Sequence, residues 1–291
     1  MAAKYIDAVW FTRLNLSDAP DAGACAAGVP AADVPDADVP AADVPATERV
    51  PLRPGWPSLC AVCHGWGAQR VCADCVLRFA AAVPRCTGCA LQVPAGVARC
   101  GACLTSPLPF ERSIAAVDYA YPWDSLITRF KFHGALDVAP ALAHCLADAV
   151  SRSDAARHVD TASPLQPPPL LLPVPLSAAR LRERGYNQAW ELARRVARLL
   201  RCPADARLLL RVRDTPHQLA FPPAERAGNV RAAFAVEPRR SGELRGRSVA
   251  IVDDVMTTGA TAAEIARVLL QAGAARVQVW AVARTPRPGE A

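Results

Sequence analysis

Lysine and long apolar runs are the two features that this sequence has least of. No apolar stretch approaches the roughly 20 residues that a membrane-spanning helix needs, and the N-terminus lacks the charged-then-apolar pattern of a secretory signal. We therefore expect a soluble, cytoplasmic protein without membrane insertion. Of the 33 basic residues only Lys4 and Lys131 are lysines. The formal net charge of +6 is a mild excess, which favours phosphorylated ligands or nucleic acid without selecting between them.

The first 55 residues have few bulky apolar side chains. They are rich in Ala, Pro and Asp, and a unit close to V-P-A-A-D repeats between Val29 and Pro45. Such a tract buries too little apolar surface to offset the entropy that ordering would cost. We predict that residues 1–55 form a disordered, low-complexity tail.

Cysteine, in contrast, is abundant, with 11 in the chain. A reducing compartment disfavours structural disulfides, and thiolates in Cys-x-x-Cys pairs are typical ligands of a closed tetrahedral Zn²⁺ site. We predict a cysteine-rich zinc-binding module over residues 56–106 that holds one or two structural ions. Its ligands form four pairs: Cys60 and Cys63, Cys72 and Cys75, Cys86 and Cys89, and Cys100 and Cys103.

The linkers between successive pairs indicate how the pairs share an ion. They have eight, ten and ten residues, shorter than in the longer zinc-ribbon spacing. This favours sequential sites, with the first four cysteines on one ion and the last four on another, over a crossed arrangement. Redox-active pairs are the alternative, although such a pair usually occurs once, beside a βαβ pattern.

Residues 249–261, V-A-I-V-D-D-V-M-T-T-G-A-T, carry the clearest chemistry outside the cysteines. The apolar run at 249–252 predicts a strand that is covered on both faces. Asp253 and Asp254 follow at its carboxyl end, where open α/β sheets bind ligands. Because carboxylates repel phosphate, this acidic pair suits the neighbouring hydroxyls of a ribose. An ordinary strand-turn-helix with a solvated Asp pair is the alternative.

The small residues that follow are suited to a phosphate. Gly259 permits a tight turn, and the next helix points the positive end of its dipole at the anion. Backbone N–H groups can then wrap around the phosphate. The predicted phosphate loop consists of Thr257, Thr258, Gly259, Ala260 and Thr261.

The rest of the pattern alternates strands with helices, which predicts an α/β domain with a mostly parallel sheet over residues 107–288. A basic turn is expected at 180–184. Strands are predicted at 114–121, 170–174, 208–212, 233–236 and 277–282. Helices are predicted at 123–133, 138–150, 186–200 and 261–272.

Residues 249–261 resemble the motif with which type I phosphoribosyltransferases bind 5-phosphoribosyl-1-pyrophosphate (PRPP). Over residues 60–284 the chain resembles the ComF family, whose members join a cysteine-rich zinc module to a phosphoribosyltransferase-like domain. The resemblance also rests on P-V-P-L at 173–176, R-G-Y-N-Q at 184–188 and a spaced set made of Arg213, Thr215, Gln218, Arg226, Asn229, Ala233 and Phe234. It implies a type I phosphoribosyltransferase-like parallel-sheet domain, preceded by a small double zinc-ribbon-like module and the tail.

The resemblance also implies a site for PRPP and Mg²⁺. The acidic pair would contact the ribose hydroxyls, residues 257–261 the 5′-phosphate, and the loop after the first core strand the pyrophosphate. Arginines near that loop would supply positive charge, or would be a solvated basic helix start. The implied PRPP-binding residues, besides 257–261, are Asp253, Asp254, Val255, Val174, Pro175, Leu176, Arg180, Lys131, Thr215, Gln218 and Arg226. The implied catalytic residues are Asp253, Asp254, Arg184 and Arg213.

Two of these assignments have a simpler alternative. The segment from Arg213 to Asn229 resembles the mobile loop that closes over the active site, and a solvated polar loop is the alternative. Lys131 is notable in a chain that otherwise uses arginine, and the family has a lysine at this place. A salt-bridged surface lysine explains it as well.

The expected function is PRPP binding by a phosphoribosyltransferase-like protein, which the resemblance links to DNA uptake in natural transformation. No residue identifies itself as the base that would activate an acceptor, so whether transfer occurs stays open. The alternative is a non-enzymatic factor that binds single-stranded DNA or a protein of the DNA-uptake machinery, with PRPP as a regulator. The cysteine module would then be a binding surface, whereas it would otherwise be only a folding staple.

Overall fold

A computed structural model describes residues 57–160, 168–213 and 232–286, all of which belong to one compact unit. The predicted tail at 1–55 lies outside these residues. Within the described part, no helix is long and apolar enough to cross a membrane. In chain order the elements are β1 (Ser58–Leu59), β2 (Trp66–Gly67), α1 (Ala73–Phe79), α2 (Gly101–Thr105), β3 (Arg112–Asp118), α3 (Trp123–Phe132), α4 (Ala139–Asp160), β4 (Leu170–Pro173), α5 (Ala178–Arg184), α6 (Gln188–Leu200), β5 (Leu209–Arg211), β6 (Phe234–Val236), β7 (Ser248–Met256), α7 (Ala260–Gln271) and β8 (Arg276–Arg284).

A parallel sheet in the order β3-β8-β7-β4 forms the centre of the fold. Successive side chains of a strand point to opposite faces, so the apolar run of β7 serves two cores. Ala250 and Val252 pack with α3, α4 and α6, whereas Val249 and Ile251 pack with α7. Burial on both faces explains why these strands are continuously apolar, and the predicted α/β fold is confirmed.

Both edges of the sheet are covered by neighbouring backbone. At β3, the Ser113 N–H donates to the Thr87 carbonyl oxygen at 2.8 Å, which attaches the cysteine-rich segment to the edge strand. At β4, the Leu171 N–H donates to the Pro203 carbonyl oxygen at 2.9 Å. An open edge would leave these groups unpaired, so both contacts complete the sheet. The division into residues 56–106 and 107–288 stays a prediction.

The helix predicted at 138–150 continues to Asp160, and the strand predicted at 114–121 spans Arg112–Asp118. Two further differences bear on the site. Residues 180–184 are not a turn but the second half of α5, because the Ser177 hydroxyl accepts from the Arg180 N–H and caps the helix start. Gly185, with φ of 76°, ends that helix. The strand expected to end at 252 continues to Met256, because pairing with β8 extends to that residue. The acidic pair therefore lies within the second half of β7 rather than after it.

Candidate functional site

A cleft of about 460 Å³ opens at the carboxyl ends of β4 and β7. Its walls include the acidic pair, the turn into α7 and the segment after β4. Thr258 is exposed and is not among the residues that line the cleft. The predicted residues that line the cleft are Lys131, Val174, Pro175, Leu176, Arg180, Arg184, Asp253, Asp254, Val255, Thr257, Gly259, Ala260 and Thr261.

Asp254 is the most deeply buried charged group of the cleft. The residue is 3% exposed, and its Oδ1 lies 2.9 Å from the ammonium Nζ of Lys131, a residue of α3. Its other oxygen, Oδ2, is buried and has no hydrogen-bond partner among the described residues. Buried polar atoms are nearly always paired, so this oxygen is positioned for a donor that none of the described residues supplies.

The charges of this group shift one another's pKa. Burial and then the negative charge of Asp254 raise the pKa of Asp253 to about 8. Burial lowers the pKa of Lys131, but the charges of Asp254 and Asp253 outweigh burial and raise that pKa above its ordinary value. The cleft therefore holds a carboxyl that takes up a proton readily and an ammonium that keeps its proton.

The turn between β7 and α7 lines the cleft and opens a helix there. Gly259 precedes α7 with φ of 79°, and as a glycine it has no side chain to cap the helix. The positive φ favours glycine, and a Cβ at this position would also lie 2.8 Å from the Met256 Cε and force the end of that flexible side chain to move. The Thr258 hydroxyl accepts from the Ala260 N–H at 3.3 Å. The first N–H groups of a helix and its dipole together favour an anion here.

The segment after β4 is fixed by the start of α6. The Asn187 side chain donates from Nδ2 to the Val174 carbonyl oxygen at 3.1 Å, and its Oδ1 accepts from the Ala189 and Trp190 N–H groups. One amide therefore caps α6 and holds the loop at residues 174–176. The guanidinium of Arg184 lies 4.9 Å from the centre of the Phe132 ring, at the same cleft.

The lining residues that were not predicted include Tyr119, Phe132, Arg211 and Thr285. Phe132 had a signal, since it follows Lys131 at the end of a predicted helix. The others come from three separate strands or strand ends, and only the tertiary fold brings them together. Arg213 is exposed and is not among the described residues that line the cleft. Thr215, Gln218 and Arg226 lie outside the described residues, so their roles stay a prediction.

The eight paired cysteines form two clusters in chain order, as predicted. We call Cys60, Cys63, Cys72 and Cys75 the first cluster and Cys86, Cys89, Cys100 and Cys103 the second cluster; within each, the four sulfurs lie within 4.8 Å of one another. Sulfur–sulfur distances include 3.8 and 3.7 Å in the first cluster and 3.6 Å in the second. Four sulfurs around one zinc at 2.3 Å would be about 3.8 Å apart, so the donor set fits a tetrahedral ion.

Backbone N–H groups prepare one thiol in each cluster for a metal. Burial raises the pKa of Cys60, but N–H groups of neighbouring residues that point at its sulfur outweigh burial and lower the pKa to about 6. Burial also raises the pKa of Cys86, and backbone N–H groups near its sulfur again outweigh burial and lower the pKa to about 6. Because the thiolate is the form that binds metal, both clusters are suited to a metal ion.

Comparisons with known proteins agree with this arrangement. Residues 187–290 match the family described as "Phosphoribosyl transferase domain". The chain is 35% identical to the "DNA utilization protein YhgH" of Shigella flexneri over 235 residues, which are 79% of this chain and 98% of that protein. It is 34% identical to the "Competence protein F" of Haemophilus influenzae over 175 residues, which are 60% of this chain and 73% of that protein.

A solved glutamine phosphoribosylpyrophosphate amidotransferase from Bacillus subtilis overlaps 50% of this chain and 26% of its own, with a TM-score of 0.30 and 20% identity. That overlap is too weak to support an argument. The family assignment follows instead from the match at residues 187–290 and from a relative that the chain covers almost completely. The chain belongs to the ComF family of phosphoribosyltransferase-like proteins.

Proposed function

We propose that this protein binds PRPP together with Mg²⁺ in the cleft at the ends of β4 and β7. The observation that carries the proposal is the buried Asp254, whose Oδ1 is held by Lys131 and whose Oδ2 has no partner among the described residues. Leaving a buried acceptor unpaired costs about 1–3 kcal/mol. A ribose hydroxyl would supply the missing donor.

The 5′-phosphate and the pyrophosphate of PRPP would be held by two segments of the cleft beside Asp254. Residues 257–261 would hold the 5′-phosphate with backbone N–H groups at the start of α7. The segment Val174, Pro175 and Leu176 would receive the pyrophosphate. Arg180 and Arg184 line the same cleft and would offset its negative charge. In this proposal Lys131 orients the acidic pair through its contact with Asp254 and also faces the bound anion.

The donor set of the cleft fits Mg²⁺. This ion prefers oxygen ligands and is usually held by one or two carboxylates and by substrate phosphates. Asp253 and Asp254 are the carboxylates that would hold it beside the oxygens of PRPP. Bound there, the ion would neutralise negative charge as pyrophosphate leaves. The arginines and the turn before α7 would keep the ribose and the leaving group in place, which is the protein's own contribution to transfer.

We also propose that both cysteine clusters hold structural Zn²⁺. Four thiolates leave no open position on a tetrahedral ion, so the sites would stabilise the fold rather than take part in chemistry. Metal analysis of the purified protein should give about two zinc ions per chain. One ion per chain would contradict the proposal for one cluster.

Isothermal titration tests the PRPP proposal. Mg²⁺-PRPP titrated into the unchanged protein should release binding heat, and Asp253→Asn/Asp254→Asn should bind at least about tenfold more weakly, because the charged acceptors for the ribose hydroxyls are gone. Glu243→Gln is a matched control, since Glu243 is an exposed carboxylate on a different surface. Equal binding heats from the unchanged protein and the double variant, or no binding heat from either, would contradict the proposal.

A role in DNA uptake is a second candidate, supported by the names of the relatives and by exposed aromatic side chains. Trp66 is 75% exposed and Tyr121 is 68% exposed. Tyr121 stacks edge-on against Phe79 at 5.8 Å, and the guanidinium of Arg78 lies 5.2 Å from the centre of the Phe79 ring. Exposed rings beside arginine are suited to stacking with unpaired bases.

Labelled single-stranded DNA tests this second candidate. Binding should weaken steeply between about 50 and 200 mM salt, because displaced counterions drive it. The variant Trp66→Ala/Tyr121→Ala should weaken binding, while Leu104→Ala, which removes another exposed apolar side chain of the same segment, should not. No binding at low salt, or binding that ignores both salt and the aromatic residues, would exclude this role.

A further inference from the structure

Arg284 is a buried cation that joins two parts of the protein far apart in sequence. It is the last residue of β8 and is 6% exposed. Its Nε donates to the Cys89 carbonyl oxygen at 2.7 Å, and its Nη1 donates to the carbonyl oxygens of Met256 at 3.1 Å and Thr285 at 2.6 Å. A guanidinium is a rigid fork of donors, so these bonds fix the position of Cys89 relative to Met256.

Each end of this connection belongs to a site. Cys89 is a member of the second cluster, and Met256 is the last residue of β7, directly before the turn at 257–261. The Met256 Cε fills the space beside Gly259, 2.8 Å from where a Cβ would lie. Because the Met256 backbone leads directly into the turn, a shift of that backbone would displace the turn that lines the cleft.

A second contact runs in parallel with the first. Leu108 lies on the segment between α2, which carries Cys103, and β3. Its Cδ1 is 3.9 Å from the same Cβ position at Gly259. The second cluster and the turn are also packed in one apolar core together with α7. The polypeptide around the second cluster thus supports the turn through a hydrogen-bonded fork, and Leu108 packs against the same apolar core.

The first cluster has different surroundings. Its buried members, Cys60 and Cys75, pack with the core of α3, α4 and α6 on the opposite face of the sheet. An ion pair between Arg70 Nε and Asp137 Oδ2, at 2.6 Å, ties its segment to the turn after α3. Among the described contacts, no hydrogen bond joins the first cluster to residues 256–261.

We infer that Arg284 is a positioning residue through which metal in the second cluster and a phosphate at residues 257–261 stabilise each other. Metal orders Cys89, Arg284 transmits that order to Met256, and the turn is then held in its anion-binding form. Coupling between two sites is reciprocal, so the ligand must also retain the metal. The inference rests on the proposed PRPP site and assigns its regulation to one of the two clusters.

The test measures zinc release and uses Mg²⁺-PRPP as the probe. A chromogenic chelator is added to the zinc-loaded Cys60→Ser/Cys63→Ser variant, in which only the second cluster is complete, with and without saturating Mg²⁺-PRPP. We expect about tenfold slower release with PRPP, within the usual range of coupling between sites. The same ligand should leave release from the first cluster, seen as the additional phase in the unchanged protein, within about twofold.

Arg284→Gln then tests the residue itself. This variant removes the charged fork while keeping similar volume, and we expect PRPP affinity to fall about tenfold and the effect of PRPP on zinc release to disappear. Arg70→Gln, on the first-cluster side, should change neither. Circular dichroism shows whether Arg284→Gln folds. If this variant does not fold, the zinc-release experiment on the Cys60→Ser/Cys63→Ser variant tests the inference by itself.

The outcomes separate the inference from the proposed function. If PRPP binds the unchanged protein but zinc release from the second cluster is the same with and without it, the coupling is wrong while the PRPP site stands. Equal slowing of release from both clusters would also overturn the inference, because the effect would then be general stabilisation. If no PRPP binds, the proposed function fails and the inference fails with it.

Discussion

The two cysteine clusters have the same ligands and nearly the same spacing, yet they sit in different surroundings. In the first cluster, Cys63 is exposed and Cys72 is partly exposed, whereas all four cysteines of the second cluster are buried. The first packs on the face of the sheet that carries α3, α4 and α6, and the second on the face that carries α7. The clusters therefore stabilise different halves of the fold.

The cysteine spacing that forms a metal site is a local feature of the sequence. The effect of that site on the rest of the protein depends on what the surrounding chain contacts. The second cluster reaches the cleft because Arg284 and Leu108 connect its segment to the turn before α7. The first is held by an ion pair whose two side chains are 29% and 51% exposed. Solvent screens such a pair, so it transmits little between its ends.

Removing the clusters one at a time tests this comparison with the largest expected effect. Cys86→Ser/Cys89→Ser takes two ligands from a buried site, and we expect loss of one zinc and of the cooperative thermal transition, since a structural zinc contributes about 10 kcal/mol or more in isolated peptides. Cys60→Ser/Cys63→Ser should also lose one zinc but keep a cooperative transition.

Metal analysis, calorimetry and PRPP titration on both variants distinguish the clusters. The first-cluster variant should retain PRPP affinity within about twofold of the unchanged protein, because its face of the sheet does not carry the phosphate turn. A loss of affinity as large as in the second-cluster variant would mean that the two sites act alike.

Changing pH should affect the cleft while leaving both clusters intact. The pKa of Asp253 is about 8 in the folded protein, while an unfolded Asp titrates near its ordinary value of about 3.9. Between these values the folded state binds more protons, so stability should fall as pH rises from about 4 to 8, by at most about 1.4 kcal/mol per pH unit for this one group.

Thermal unfolding of the metal-loaded protein between about pH 6 and 8 measures this slope while the cysteine ligands stay bound. Asp253→Asn should flatten it, because the titrating group is gone. An unchanged slope in that variant would assign the pH dependence to another group and would contradict the raised pKa.

A methyl group at Gly259 should disturb the turn before α7, to which Arg284 connects the second cluster. Gly259→Ala places a Cβ against Met256 at a φ of 79°, and we expect a loss of about 2 kcal/mol in the free energy of unfolding and about tenfold in PRPP affinity. Gly246→Ala is matched, since its φ is 69° but nothing lies within 4 Å of its Cβ. It should cost about 1 kcal/mol and leave PRPP affinity unchanged.

Chemical denaturation and PRPP titration compare these two variants. Similar losses of affinity would show that the left-handed backbone matters, rather than the contact with Met256.

The ion pairs that hold each cluster's segment provide the last contrast, which includes the weakest destabilisation. Arg70→Ala removes a pair that is largely solvated, and we expect a loss of less than about 1 kcal/mol. Arg85→Ala removes a pair with Asp118 that is only 12% and 28% exposed, and also a bond to the Ala90 carbonyl oxygen beside Cys89. We expect about 1–3 kcal/mol there, because a buried acceptor loses its donor. Urea unfolding should rank the two, and the reverse order would contradict the contrast in burial.

Much of the fold and part of the site could be predicted from local sequence. The four Cys-x-x-Cys pairs group in chain order as their short linkers indicated. The apolar run before Asp253 and the turn at Gly259 predicted a strand, a turn and a helix, and each is present with its ends shifted by a few residues. Each of these signals lies within about a dozen residues, where spacing and backbone geometry decide the outcome.

The remaining features depend on contacts between distant segments. Tyr119 and Thr285 border one cleft because β3 and β8 are neighbours in the sheet, which the order of the chain does not specify. Lys131 was equally compatible with a surface position, and only the packing of α3 brings its ammonium to Asp254. The end of β7 moved to Met256 because pairing with β8 outweighed the polarity of the acidic pair.

The sequence alone was enough for the α/β class, two sequential four-cysteine clusters and a carboxylate pair followed by a glycine turn into a helix, because each depends on residue type at short spacing. The burial of Asp254 with one oxygen paired to Lys131, and the position of the second cluster on the same side of the sheet as that turn, follow only from tertiary contacts. Burial and the joining of distant residues arise when strands pair and faces pack, so no local pattern of residues encodes them.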